Sequence, residues 1–174
     1  MPIFRKSQPI MNTKPHNFIR VIGISLSTRG VGFALMEGDN DLVDWGLRVV
    51  KGDKNARCLS HVGNLITRYE PTVIALEDTL SAGVRRASRV HVLSQEIAQL
   101  ARSHNIRVKV FTRKHIRSGL LHNPVGTKHA VAEHLGSRFK GELGFRIPKK
   151  RRCGMNADSR MDVFDAVALA ANYY

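Results

Sequence analysis

"RVIGISLSTRGVGFALMEG", residues Arg20 to Gly38, decides how the rest of the chain is read. It contains two β-type runs, Val21 to Ser27 and Gly30 to Glu37, joined only by Thr28 and Arg29. Runs this close together read as an antiparallel hairpin. A third run, Leu42 to Val50, follows the turn-forming "GDND" and extends the hairpin to a three-stranded meander. The first strand is apolar almost throughout, the pattern of a strand covered on both faces and therefore central in a larger sheet. Ser25 breaks that pattern, and the rest of the chain must explain it.

Downstream the period changes. Leu59, Val62, Ile66 and Tyr69 recur at helical spacing and Pro71 stops them, so a helix is expected over Asn55 to Tyr69. "TVIALED", Thr72 to Asp78, is a short apolar run ending in two acids and reads as a buried parallel strand. Val90, Leu93, Ile97 and Leu100 mark a second helix, and "RVKVFT", Arg107 to Thr112, a fifth strand. Val131, Leu135 and Phe139 mark a third helix, and "SRMDVFDAVALAANYY" closes the chain as a fourth. The expected order is β-β-β-α-β-α-β-α-α. Phe33, Trp45 and Phe145 are expected as core or half-buried packing.

The composition narrows the class of function. A chain of 174 residues suits one domain with a real core. Residues 1–18, with Pro2, Pro9 and Pro15 and no sustained period, read as a flexible basic leader, leaving 19–174 as the folded domain. No apolar run approaches the length of a spanning helix, and the basic start lacks the apolar core of a secretory signal. Cys58 and Cys153 have no partner spacing for zinc or a disulfide framework, so a reducing cytoplasm is the expected compartment. His129 and His134 are five apart, too far around a helix to share a metal well. The 28 basic residues outnumber 14 acidic ones, for a net charge of +14. That excess attracts polyanions, and because it is not gathered in one amphipathic helix, nucleic acid is favoured over a membrane surface.

In so basic a chain the positions of the acids carry information. Glu77 and Asp78 end the fourth strand, at the sheet edge where α/β folds place ligands. Asp162 and Asp165 are three apart on the last helix and project from neighbouring points of one face, and Asp158 joins them if that helix starts early. Carboxylates converging in a basic protein fit a hard divalent cation, Mg²⁺ or Mn²⁺. A purely structural account also exists: Ser159 and Asp162 fit a capping box, and an acid in a first turn offsets the helix dipole. It explains Asp165 less well.

The element order and these acids together resemble the RuvC-type Holliday-junction resolvases of the ribonuclease H-like superfamily. "VIGISLSTRGVGFALMEG" is similar to the family's first hairpin, "IALED" to its second motif and "MDVFDAVALAANYY" to its last helix, over residues 20 to 174. The resemblance implies an α/β fold whose five-stranded mixed sheet, three antiparallel then two parallel strands, is flanked by helices. It implies a Mg²⁺- or Mn²⁺-dependent endonuclease that hydrolyses phosphodiester bonds in branched DNA in recombination and repair, acting as a homodimer. Carried over by motif, Glu77, Asp162 and Asp165 become the catalytic, metal-holding acids. The family's first-strand acid falls on Ser25, a neutral and weak ligand. That departure leaves a second reading open, a catalytically impaired protein that binds branched DNA, and a third, a nuclease acting on RNA or an RNA–DNA hybrid.

Three basic clusters flank the proposed acids: Arg85, Arg86 and Arg89; Arg113, Lys114 and Arg117; and Lys149, Lys150, Arg151 and Arg152. They are the expected nucleic-acid contacts, of the kind that position a duplex without reading its sequence.

Overall fold

The computed structural model describes residues 19–81, 87–150 and 158–174. The sheet is built from β1 (Val21–Leu26), β2 (Gly30–Met36), β3 (Leu42–Val49), β4 (Val73–Glu77) and β5 (Arg107–Phe111), in the order β3-β2-β1-β4-β5. The first three strands are antiparallel to one another, and β4 and β5 add in parallel beside β1. The apolar first strand is thus central, as its composition implied.

Strand alternation divides β1 between two cores. Ile22, Ile24 and Leu26 join a cluster with α1 (Lys54–Tyr69) and α2 (Ser88–Ser103). Val21 faces the other side, where α4 (Lys128–Arg138) and α6 (Met161–Ala171) pack. Helix α6 crosses the sheet centre so closely that side chains are excluded beneath it. A Cβ on Gly23 would overlap the Ala166 carbonyl oxygen and sit 2.8 Å from the Ala170 nitrogen, and one on Gly32 would sit 2.7 Å from the Asp162 carbonyl carbon. The two glycines let helix and sheet backbones touch, a use of glycine that no other residue replaces.

Two helices interrupt the expected order: α3 (Arg113–Leu121), and the single-turn α5 (Lys140–Leu143) with a 3₁₀ turn after it (Gly144–Arg146). The Thr112 side chain starts α3 by accepting the His115 N–H at 3.1 Å, and Ile116 and Leu120 bury its inner face. The cluster Arg113, Lys114 and Arg117 therefore stands on a helix that directly follows β5. Phe145 departs from the expectation of a packed aromatic: it is 71% exposed, with the Arg146 guanidinium 5.1 Å from its ring centre. Trp45 is half-buried, as expected, with the Arg146 guanidinium 4.5 Å from its ring centre. Among the described residues no helix is long and apolar enough to cross a membrane.

Candidate active site

The site forms where β1, β4 and α6 meet. Ser25 pairs across β2 with Gly32, the residue pressed against Asp162, and it is 3% exposed. By alternation it shares the α6 side of the sheet with Val21 and Gly23. Glu77 lies one residue beyond the Ile24–Leu76 pair, at the carboxyl end of the neighbouring parallel strand, on the side that Val73 and Ala75 give to the α6 core. Helix α6 then brings Asp162 in its first turn and Asp165 in its second. Three distant parts of the sequence thus meet near the strand end where α/β sheets bind ligands.

The acids are in unequal environments. Asp162 is 9% exposed, and burial, reinforced by the Asp165 charge, raises its pKa above the ordinary carboxylate value despite a hydrogen bond from the Ser27 side chain. Its Oδ2 is buried with no hydrogen-bond partner among the described residues. Glu77 and Asp165 line one cavity with Arg117, and each carries a cation: Arg113 Nε on Glu77 Oε1, and Lys128 Nζ on Asp165 Oδ2. Two positive side chains therefore stand beside the outer carboxylates, and the inner carboxylate has an oxygen still to satisfy.

Among the described residues no group of three or more His, Cys, Asp or Glu side chains is gathered closely enough to cage a metal. Mg²⁺ does not require such a cage, since it commonly takes one or two carboxylates and completes its shell with water and substrate phosphate. The orphaned Oδ2 of Asp162, with Asp165 one helical turn on, is a donor set of that sparse kind.

Other expected participants are placed elsewhere. The Ser159 hydroxyl forms no cap: Arg160 occupies the cap position, and the Ser159 carbonyl, not its side chain, accepts the Asp162 N–H at 3.1 Å. Asp158 turns to Arg160, which lowers its pKa by hydrogen bonding, and so it does not join the pair on α6. Asp78 accepts the Leu80 N–H at 2.9 Å in the turn after β4. His129 sits 3.4 Å from Glu133. Arg89 is committed to the fold, donating at 2.8 Å to both the Asn55 side chain and the Ser27 carbonyl. Lys114, Lys149 and Lys150 are exposed. Arg85, Arg86, Arg151, Arg152, Cys153 and the 1–18 leader lie outside the described residues.

Lys128 is the group that the sequence reading missed. Its signal was the preceding Thr127, whose side chain accepts the Ala130 N–H and starts α4, so that Lys128 is the first residue of the helix.

No protein-family profile matches this chain, and no curated protein sequence matches it. Solved structures do. The RuvC structure of Thermus thermophilus is 17% identical, with a TM-score of 0.65 over 88% of this chain and 92% of that one. The same protein in complex with Holliday junction substrate gives 16% and 0.64 over the same shares of each chain. The yeast mitochondrial Holliday junction resolvase gives 14% and 0.60 over 88% of this chain and 77% of that one. The chain has the RuvC-like, ribonuclease H-like fold over nearly its whole described length.

Proposed function

We propose that the chain is a metal-dependent, structure-selective endonuclease acting on branched DNA, with Glu77, Asp162 and Asp165 as its catalytic carboxylates. The observation that carries this reading is the buried, unpartnered Oδ2 of Asp162 near the carboxyl end of the central strands, with Asp165 one helical turn on and Glu77 sharing a cavity with Asp165. A fold that merely bound DNA gains nothing from burying a carboxylate among cations. The solved relatives of this fold include a RuvC bound to Holliday junction substrate, which supports a four-way junction as the substrate.

Asp162 and Asp165 would hold the cation, with Glu77 completing its surroundings across the cavity. When bound, the cation supplies Lewis-acid polarisation of the phosphate and lowers the pKa of water. The chain's own residues do the rest. Asp165 accepts a hydrogen bond from the attacking water and orients it in line with the scissile P–O3′ bond. As that bond breaks, the water oxygen becomes part of the 5′ phosphate, and a proton goes to the departing 3′ oxygen. Arg113 and Lys128, now lying on the carboxylates, turn to the incoming phosphate and balance the charge that builds on its oxygens. Ser25 contributes no charge, so cation binding leans on α6 and on the substrate. Symmetric cutting of a junction needs two such sites, hence two copies of the chain.

The test incubates purified protein with labelled four-way junction, linear duplex and RNA–DNA hybrid in Mg²⁺ and in Mn²⁺. Junction cleavage is expected, reduced about 10²-fold or more in Glu77→Gln, the scale of losing one preorganised charged group at a reacting centre. Binding without cleavage in the native chain, with cleavage appearing in Ser25→Asp, would instead establish a binding protein on a disabled nuclease scaffold. Preference for the RNA–DNA hybrid would reassign the substrate.

A further inference from the structure

Among the described residues, some cations are paired and others carry no salt bridge. Arg20 is held by Glu37 at 2.6 Å, Arg89 by Asn55 and the Ser27 carbonyl, Arg113 by Glu77, Arg138 by Asp39 and Arg160 by Asp158. Arg48, Lys51 and Arg57 are different. All three are exposed, and they line one groove of about 720 Å³ between the end of β3 and the first turns of α1, together with Ser60, His61 and Asn64. No acid lines it. The nearest acid along the chain, Asp53, is occupied at 3.2 Å by the Ala56 N–H as the cap of α1. Three like charges around one concavity repel one another, and an anion removes that cost.

The groove also has a defined place relative to the acids. Its rim residue Val50 donates its N–H to the Arg29 carbonyl at 3.0 Å, and Lys54 Nζ donates to the Thr28 carbonyl at 3.0 Å. The turn at residues 27–30 therefore lies between the groove and Asp162, to which the Ser27 side chain hydrogen-bonds. Strands β1 and β3 are two sheet spacings apart, about 10 Å. That is the rise of about three base pairs of duplex.

We propose that the β3–α1 groove is a second nucleic-acid contact, in which Arg48, Lys51 and Arg57 hold backbone phosphates of a duplex arm leaving the candidate active site. The proposal rests on the branched-DNA reading above and adds a surface that none of the sequence clusters contains. Ser60 and Asn64 supply neutral hydrogen bonds to phosphate oxygens, and His61, whose pKa burial and the Arg48 charge push down, floors the groove against Phe33.

The test compares the native chain with the triple variant Arg48→Gln/Lys51→Gln/Arg57→Gln, and with a control, Arg102→Gln/Lys140→Gln, on a four-way junction across a salt series. The triple variant is expected to bind more weakly, with the slope of log K against log salt shallower by about 2 to 3, as loss of three phosphate contacts requires. Cleavage of fully bound junction should keep the native rate. Truncating the junction arms at the crossover should remove the difference between native and triple-variant protein. An unchanged slope, an equal change in the control, or an equal loss on truncated arms overturns the proposal. Native protein that binds the junction but does not cut it defeats the nuclease reading while the slope still judges the groove; native protein that binds no junction defeats both.

Discussion

The two faces of the sheet are built on opposite rules. Toward α1 and α2, β1 presents Ile22, Ile24 and Leu26, and large aliphatic side chains fill the space between layers. Toward α6 the same strand presents Val21, Gly23 and Ser25, and backbone meets backbone. The first face is ordinary packing, where volume can be traded among neighbours. The second is a fixed separation that sets where Asp162 and Asp165 stand relative to Glu77. The proposed active site lies on the face with no slack.

The largest effect is therefore expected from the smallest change on the tight face. In Gly23→Ala the new methyl overlaps the Ala166 carbonyl, a backbone atom that no rotamer change can move aside. Helix α6 must shift and carry both of its acids with it. A loss above about 3 kcal/mol is expected, at the upper end for overpacking, read as a large drop in the denaturant midpoint. Near-native stability would mean that α6 has room to give, and the contrast between the faces would fail.

Much of this was legible in the sequence, for reasons that also mark the limit. The strands follow from short apolar or β-type runs, short links and one doubly apolar strand, all local features, while the five-stranded mixed sheet came from the family resemblance. Helix α3 was missed because its apolar signal is one pair, Ile116 and Leu120, inside a basic stretch, while its start depends on a side chain bonding three residues on. The acids could be picked out because carboxylates are scarce in a +14 chain. Their pairing with Arg113 and Lys128 could not, since those cations come from 36 and 37 residues away along the chain. Arg89 read as a phosphate contact until the fold placed the Ser27 carbonyl, 62 residues earlier, on its guanidinium. Cations advertise charge in a sequence but not whether the fold has already used it.

A smaller effect tests the tight face from its electrostatic side. Burial raises the pKa of Asp162 in the folded state, so between its unfolded and folded values the native protein holds the extra proton. Native stability therefore falls as pH rises through that window, and the cost of the buried charge is fully present above it. Asp162→Asn removes the charge and keeps the shape. The variant should melt about 2–4 °C higher near neutral pH, the shift that ~1 kcal/mol gives in a domain of this size, while losing cleavage. The advantage should disappear below the window, where the native carboxyl is protonated too. Thermal melts from pH 3 to pH 8 check both limbs. A constant difference across that range would mean that Asp162 is not the titrating group.

The smallest expected effect belongs to the permissive face. Gly63 lies inside α1, and a Cβ there would meet only the Leu100 Cδ2 at 3.9 Å, ordinary van der Waals contact. Glycine in a helix interior costs about 0.5–1 kcal/mol relative to alanine, through the freedom it loses on folding. Gly63→Ala should therefore stabilise by about that amount, raising the denaturant midpoint slightly with the slope unchanged. Junction binding and cleavage should match the native chain, because α1 carries none of the site acids and Gly63 lies outside the groove lining. The same substitution is thus destabilising at Gly23 and stabilising at Gly63. A loss of stability at both would show that α1 packs as tightly on its neighbours as α6 does on the sheet, and the active site would then need another explanation for its fixed geometry.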